Sequence, residues 1–199
     1  MLNTHEKNID LFSNLPLLIA ALIIFVFGIV DDILELPAYV KLLAKELRKR
    51  GYYKEKLTKD YIKNMCQAAP MHDIGKIAVP DVVLQKPGRL TSEEFEIIKK
   101  HTIDGGKIIE ETFGNLGNNE YTEMAYQVAK YHHEKWNGKG YPEGLKEDEI
   151  PLCARIMAVA DVFDAVSEKR CYREAMPLEK CFSIIDDAGL CIRQKDASC

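Results

Sequence analysis

The sequence predicts an all-α protein, and three observations predict it. Apolar residues recur three and four apart along several long stretches. No segment alternates apolar and polar residues convincingly enough to be a strand. A capping box, Thr91-Ser92-Glu93-Glu94, opens one of the periodic stretches. A chain of 199 residues suffices for one ordinary domain with a sizeable core and a short extension.

The elements follow in order. Leu15 to Val30 reads LPLLIAALIIFVFGIV, sixteen residues without a charge. Extended back to Leu11, the run approaches the ~20 residues that span a bilayer. It lacks the basic n-region and small-residue cleavage site of a signal peptide. Lys7 is the only basic residue other than His5 before it, whereas Lys41, Lys45, Arg48, Lys49 and Arg50 follow, which places the C-terminal side in the cytoplasm. We therefore expect membrane insertion through residues 11–30, the alternative being a buried core helix in a cytoplasmic protein. From Ala38 to Arg50 an amphipathic helix sets Tyr39, Leu42, Leu43 and Leu47 on one face and ends at Gly51. A second helix is predicted from Thr58 to about Asp73, with Ile62, Met65, Cys66 and Ala69 as its stripe. Pro87-Gly88 is a turn, and the helix after the capping box carries Phe95, Ile98, Ile108 and Ile109 inward. Asn115 to Asn119 is a loop, after which Tyr121, Met124, Ala125, Val128 and His132 recur at helical spacing. Asn137 to Pro142 must be a structured loop, and Pro151 sits near the start of the last strong helix.

The charges, 27 Lys+Arg against 31 Asp+Glu, exclude the basic footprint of a protein that binds DNA or RNA polymers. The 6 cysteines form no CxxC pair and fall in helical patterns, so they read as reduced thiols. Histidine is more informative. Of 5 in the chain, His72, His101, His132 and His133 lie in the middle third.

His72-Asp73, His132 and Asp161 each continue an apolar stripe, and His101 lies one turn beyond Ile97 and Ile98. A lone inward histidine is usually a hydrogen-bonded core residue. An inward aspartate must be paired, protonated or metal-bound. Together the six could satisfy one another as a polar network, or the pairs His72-Asp73 and His132-His133 could hold two ions. Imidazole and carboxylate without Cys favour Fe, Mn or Zn. Two carboxylates offset only part of the charge of two dications, which favours a bound hydroxide and an anionic substrate such as a phosphate ester. Lys76 could meet a phosphate oxygen beside the metals, although alone it reads as a solvated lysine.

The segments MHDIGKIAVPD (71–81), KPGRLTSEEFEIIKKHTIDGG (86–106), HHEKWNGKGYPEGL (132–145) and IPLCARIMAVADVFDAVSEKRCY (150–172) closely resemble the HD-GYP branch of the HD-domain metal-dependent phosphohydrolases. The order and spacing of the motifs HD, H, HHE, GYP and D make that resemblance specific, and it runs from about Tyr39 to Gly189. It implies a helical bundle that hydrolyses cyclic di-GMP to linear pGpG or GMP with two, sometimes three, Fe or Mn ions. By motif match the metal ligands would be His72, Asp73, His101, His132, His133 and Asp161, with His72 and Asp73 also catalytic. Lys76 would contact the scissile phosphate, and Arg170, Tyr172 and Arg173 would bind the phosphates of the ligand. Gly140-Tyr141-Pro142 would shape a loop and dock diguanylate cyclase (GGDEF) domains, and an exposed bundle face allows a homodimer. The resulting division is an N-terminal head with the apolar helix (1–37), an HD-GYP domain (38–190) and a short divergent tail (191–199).

Three features depart from the family. No histidine lies between His5 and His72, where the family usually carries one near the start of the bundle; Asp31, Asp32 and Glu35 are the nearest equivalents. Cys171 replaces the usual proline before Tyr172, and LCIRQKDASC replaces the Phe-Asp-Pro continuation, so the chain reads as a copy truncated at both ends. The sequence therefore supports two readings: an active cyclic di-GMP phosphodiesterase with one weakly held ion, or a catalytically weak copy serving as a cyclic di-GMP binding or docking module.

Overall fold

The computed structural model describes residues 36–114, 119–167 and 176–192, all within the compact unit Glu35–Cys199. The described residues form helices α1 (36–49), α2 (Lys59–Ala68), α3 (Asp81–Leu84), α4 (Ser92–Phe113), α5 (Glu120–Tyr131), α6 (Leu152–Ser167) and α7 (Leu178–Asp187). Short 3-10 turns fill Ala69–Met71, Ile74–Ala78 and Glu147–Glu149. Among the described residues there is no strand, only an isolated bridge between Asn137 and Lys146. The all-α expectation holds.

The helix starts follow from local chemistry. The Thr58 side chain accepts from the Tyr61 amide to open α2. Thr91 and Glu94 close the predicted capping box on α4, and Lys86 holds the same Glu94 carboxylate at 2.6 Å. Asn119 and Thr122 cap α5 reciprocally. Each satisfies amides that a helix start otherwise leaves unbonded. Gly51, at φ +92°, ends α1 in a conformation that side-chain-bearing residues rarely adopt.

The core gathers around α5, which touches α2, α4 and α6. Leu36, Val40, Ala44, Leu57, Met65, Val128, Ile156 and Met157 are buried in it. The α5–α6 loop is clamped by Arg155, whose guanidinium lies 5.4 Å from both the Tyr53 and Trp136 rings and 3.1 Å from Asp148. Trp136 in turn donates its amide to the carbonyl of Gly189, tying the loop to the end of α7.

Four expectations are corrected. The second helix ends at Ala68, not near Asp73, because Pro70 brings no amide to continue the ladder; Ala69 keeps helical φ and ψ and the chain tightens into a 3-10 turn. Leu42 is 66% exposed, since α1 turns Leu36, Val40 and Ala44 inward instead. Phe95 is exposed on α4, whose buried face is His101, Thr102, Gly105, Gly106 and Ile109. Helix α7 was not expected; it buries Cys181 and Ile185 and stacks Phe182 on Phe163 of α6. No helix among the described residues is long and apolar enough to cross a membrane. The apolar run, with Asp31, Asp32 and Glu35, lies outside the described residues. Cys66, Cys153 and Cys181 are free thiols, as expected.

Candidate metal centre

The centre is assembled by a close backbone contact. Gly75 lies in the 3-10 turn after Asp73, and a Cβ placed on it would strike the carbonyl of His101 and the amide of Gly105. Only glycine lets this turn press against the middle of α4. That contact carries Asp73 to within 3.4 Å (Oδ1) of His101 Nε2. Residue periodicity gave no sign of it, although a glycine two residues after an inward His-Asp pair is the available clue.

The histidines are oriented by their Nδ1 atoms. In His72, Nδ1 donates to the carbonyl of Ala69 at 2.9 Å, and in His101 to that of Ile98 at 2.6 Å. His132, at the C-cap of α5, donates to the carbonyls of Val128 and Ala129 at 3.0 and 3.1 Å. A carbonyl can only accept, so the proton of each neutral ring is assigned to Nδ1 and Nε2 is left with a lone pair. All three Nε2 atoms face Asp73: that of His72 is 3.2 Å from Oδ2, and that of His132 is 3.9 Å from Oδ1. His101 and His132 present Nε2 to each other at 3.4 Å.

The arrangement is a pocket of acceptors. Asp73, His101, His132 and His133 each offer a ligand atom, all within 4.8 Å of one another. His72 Nε2 is also 3.7 Å from Oδ1 of Asp161, so this carboxylate extends the group. Burial, with neighbouring imidazoles, pushes His132 well below its ordinary value and His133 down to about 3; burial likewise lowers His101. These rings are neutral at pH 7, the form that ligates metals. Burial opposes ionisation of Asp73, but His72 and Lys76 outweigh it and hold the carboxyl below the usual range. Burial raises Asp161 and is only partly countered by His72. For His72, burial is outweighed by Asp73 and Asp161, and its pKa rises. Converging lone pairs and an ionised carboxylate, with ring orientations fixed by backbone carbonyls, fit a divalent transition metal.

Lys76 lies beside the cluster with Nζ 2.5 Å from Oδ2 of Asp73. The GYP loop forms one wall. Gly140 packs where a Cβ would meet the backbone of His133, Glu134 and Lys135, and the Tyr141 amide donates to the carbonyl of His133. The Tyr141 ring lies 4.7 Å from that of His133. Beneath it, buried Glu134 accepts the amides of Glu143 (2.7 Å), Gly144 (3.1 Å) and Leu145 (3.0 Å). Glu134 had no assigned role in the sequence reading, although its place directly after two histidines was a usable signal. The structure thus brings His72, Asp73, Lys76, His101, His132, His133, Asp161, Gly140, Tyr141 and Pro142 to one region, whereas Arg170, Tyr172 and Arg173 lie outside the described residues.

Residues 34–190 match the HD domain family. The chain therefore belongs to the HD-domain family, in agreement with the HD-GYP resemblance of its motifs. It is 42% identical over 153 residues to a cyclic di-GMP phosphodiesterase of Vibrio cholerae, covering 77% of this chain and 31% of that protein. To a cyclic di-GMP phosphodiesterase of Thermotoga maritima it is 50% identical over 119 residues, 60% of this chain and 31% of the relative. A 3'3'-cGAMP-specific phosphodiesterase of Vibrio cholerae is 45% identical over 115 residues, 58% of this chain and 20% of the relative. The chain spans a fifth to a third of the length of these relatives.

Proposed function

We propose that this chain is a metal-dependent phosphodiesterase that hydrolyses cyclic di-GMP to linear pGpG and/or GMP. The observation that carries the reading is the Asp73 carboxylate ringed by the Nε2 atoms of His72, His101 and His132, a donor set that suits a divalent cation. In this reading His72, Asp73, His101, His132, His133 and Asp161 hold two divalent ions, Fe or Mn. Bound there, such ions lower the pKa of a water and neutralise phosphate charge. Lys76 turns its ammonium from Asp73 to a non-bridging phosphate oxygen. Water adds at phosphorus, the bond to the ribose 3' oxygen breaks, and the proton ends on that oxygen; a second cycle yields two GMP. The names of the relatives support this substrate, and the shared HHE and GYP segments support a shared site.

Around that site, Arg170, Tyr172 and Arg173 are assigned to phosphate binding and the Gly140-Tyr141-Pro142 loop to docking GGDEF domains. Homodimer formation is allowed by the exposed bundle face. The apolar run over 11–30 is assigned to the bacterial inner membrane, with the HD domain in the cytoplasm.

The test is anaerobic hydrolysis of cyclic di-GMP by the full chain loaded with Fe(II) or Mn(II), beside a His72→Ala/Asp73→Ala control. Turnover that vanishes in the control is the expected result. A folded, metal-loaded chain without turnover overturns the reading and leaves the binding-module alternative.

A further inference from the structure

The wall of the centre continues outward into an aromatic pair that the metal chemistry does not use. Tyr141 lies tilted on His133, and the Phe95 ring meets Tyr141 edge to face at 6.2 Å and 84°. Phe95 is 46% exposed, on the first turns of α4, so its ring is open to a ligand. Lys99 stands one turn further along the same helix, its Nζ 5.5 Å from the Phe95 ring centre and 5.7 Å from that of Tyr141. Glu96 holds this ammonium at 2.5 Å but is itself 66% exposed. The Lys99 side chain is 26% exposed, so the ammonium stays beside the rings while the exposed carboxylate can give way to a ligand acceptor.

We propose that Phe95, Tyr141 and Lys99 form a nucleobase platform at the rim of the histidine cluster, and that it takes guanine in preference to adenine. This rests on the cyclic-dinucleotide reading above. An exposed aromatic face next to a phosphate-cleaving centre is the chemistry that stacks a base, and stacking by itself tolerates any base. The ammonium adds the choice. Guanine presents two acceptors, N7 and O6, on one edge, whereas adenine places an N6 amino donor where O6 would be. A lysine can only donate, so it gains from guanine and is opposed by the adenine amino group. Phe95 stands only two ring contacts from His133, so a nucleotide whose phosphate sits at the cluster can lay its own base on the platform.

The experiment uses the full chain with Mn(II). Dissociation constants are measured by calorimetry with slowly cleaved phosphorothioate analogues of cyclic di-GMP and cyclic di-AMP, and KM and kcat with the natural dinucleotides. Phe95→Leu should weaken cyclic di-GMP binding about tenfold, with the loss in Kd and KM rather than kcat, and Phe95→Trp should restore it. Lys99→Met should shrink the preference for guanine about fivefold or more. Phe95→Leu within about twofold of the parent, Phe95→Trp no better than Phe95→Leu, or Lys99→Met weakening both ligands equally overturns the platform. If all variants cleave cyclic di-GMP like the parent, the platform alone fails. A parent chain that neither binds nor cleaves either dinucleotide overturns the phosphodiesterase reading and the platform together. Binding without cleavage that still depends on Phe95 upholds the platform and rejects only the catalytic reading.

Discussion

His101 and His132 point their Nε2 atoms at each other across 3.4 Å, and neither can donate, because each Nδ1 proton is committed to a backbone carbonyl of its own helix. Two lone pairs held face to face in a buried site repel unless a cation lies between them and Asp73. Their positions are set by rigid parts: His101 by the middle of α4 and His132 by the end of α5.

Removing the metal should therefore expose that repulsion. A ligand present at a hundred times its dissociation constant stabilises by about 2.7 kcal/mol, which for a domain of this size corresponds to about 5–10 °C in Tm. Chelation should lower the thermal midpoint by that amount, and Mn(II) or Fe(II) should restore it. His132→Ala should abolish the metal-dependent shift and reduce bound metal, read by elemental analysis. A midpoint indifferent to chelation would count against a bound ion.

Gly75→Ala tests the backbone contact. The new methyl would strike backbone atoms of His101 and Gly105, which cannot swing aside as a flexible side chain would. Either the turn or α4 must shift, so Asp73 leaves its place under the histidines. We expect at least a tenfold loss of activity and of metal affinity, since a displacement of about 1 Å costs that much or more. Gly88→Ala, where a Cβ meets open space but φ is +111°, should cost about 1 kcal/mol of stability and little activity.

Glu134→Gln addresses the support of the GYP loop. The carboxylate accepts three amides, and an amide side chain offers one oxygen and a donor that faces those donors. Loss of buried hydrogen bonds of this kind costs about 1–3 kcal/mol. Activity should fall along with denaturant midpoint, because Tyr141 rests on the same loop. A full-activity Glu134→Ala protein would remove Glu134 from the account.

Alkaline pH should destabilise the fold through Cys153. Burial pushes its thiol up to about 11 from an ordinary value of 9.0, and buried Tyr61 beside it is raised as well. The folded state therefore keeps a proton that the unfolded state releases. The contribution is complete below pH 9 and is lost as pH rises toward 11. Stability measured by urea unfolding should fall across that window, and Cys153→Ala should flatten the slope. In the native state Cys153 should resist iodoacetamide at pH 8, where exposed thiols react.

Several of the site's parts were legible in residue order alone. His132 and Asp161 continue apolar stripes, and the capping box at Thr91 announced α4, the helix that carries His101. Other parts were not. Pro70 stopped α2 short and bent the chain, so Asp73 is placed by a 3-10 turn rather than by a helical face. Phe95 looked like core on periodicity, yet α4 buries its glycine and histidine face instead. Helix α7 was legible too, since LEKCFSIIDD is amphipathic with Cys181 and Ile185 on its buried face, and the sequence reading overlooked it.

The sequence by itself determined the helical class, the inward phase of the histidines and Asp161, and the family to which the chain belongs. A helical period states which side of one helix a residue occupies, and says nothing of which other helix that side will meet. Only the tertiary structure decided that Asp73 sits beneath three Nε2 atoms. That convergence depends on a turn pressed against α4 at Gly75 and Gly105, and on imidazoles locked by the carbonyls behind them. Both are contacts between backbones or to backbones, which the pattern of side chains along a sequence does not record.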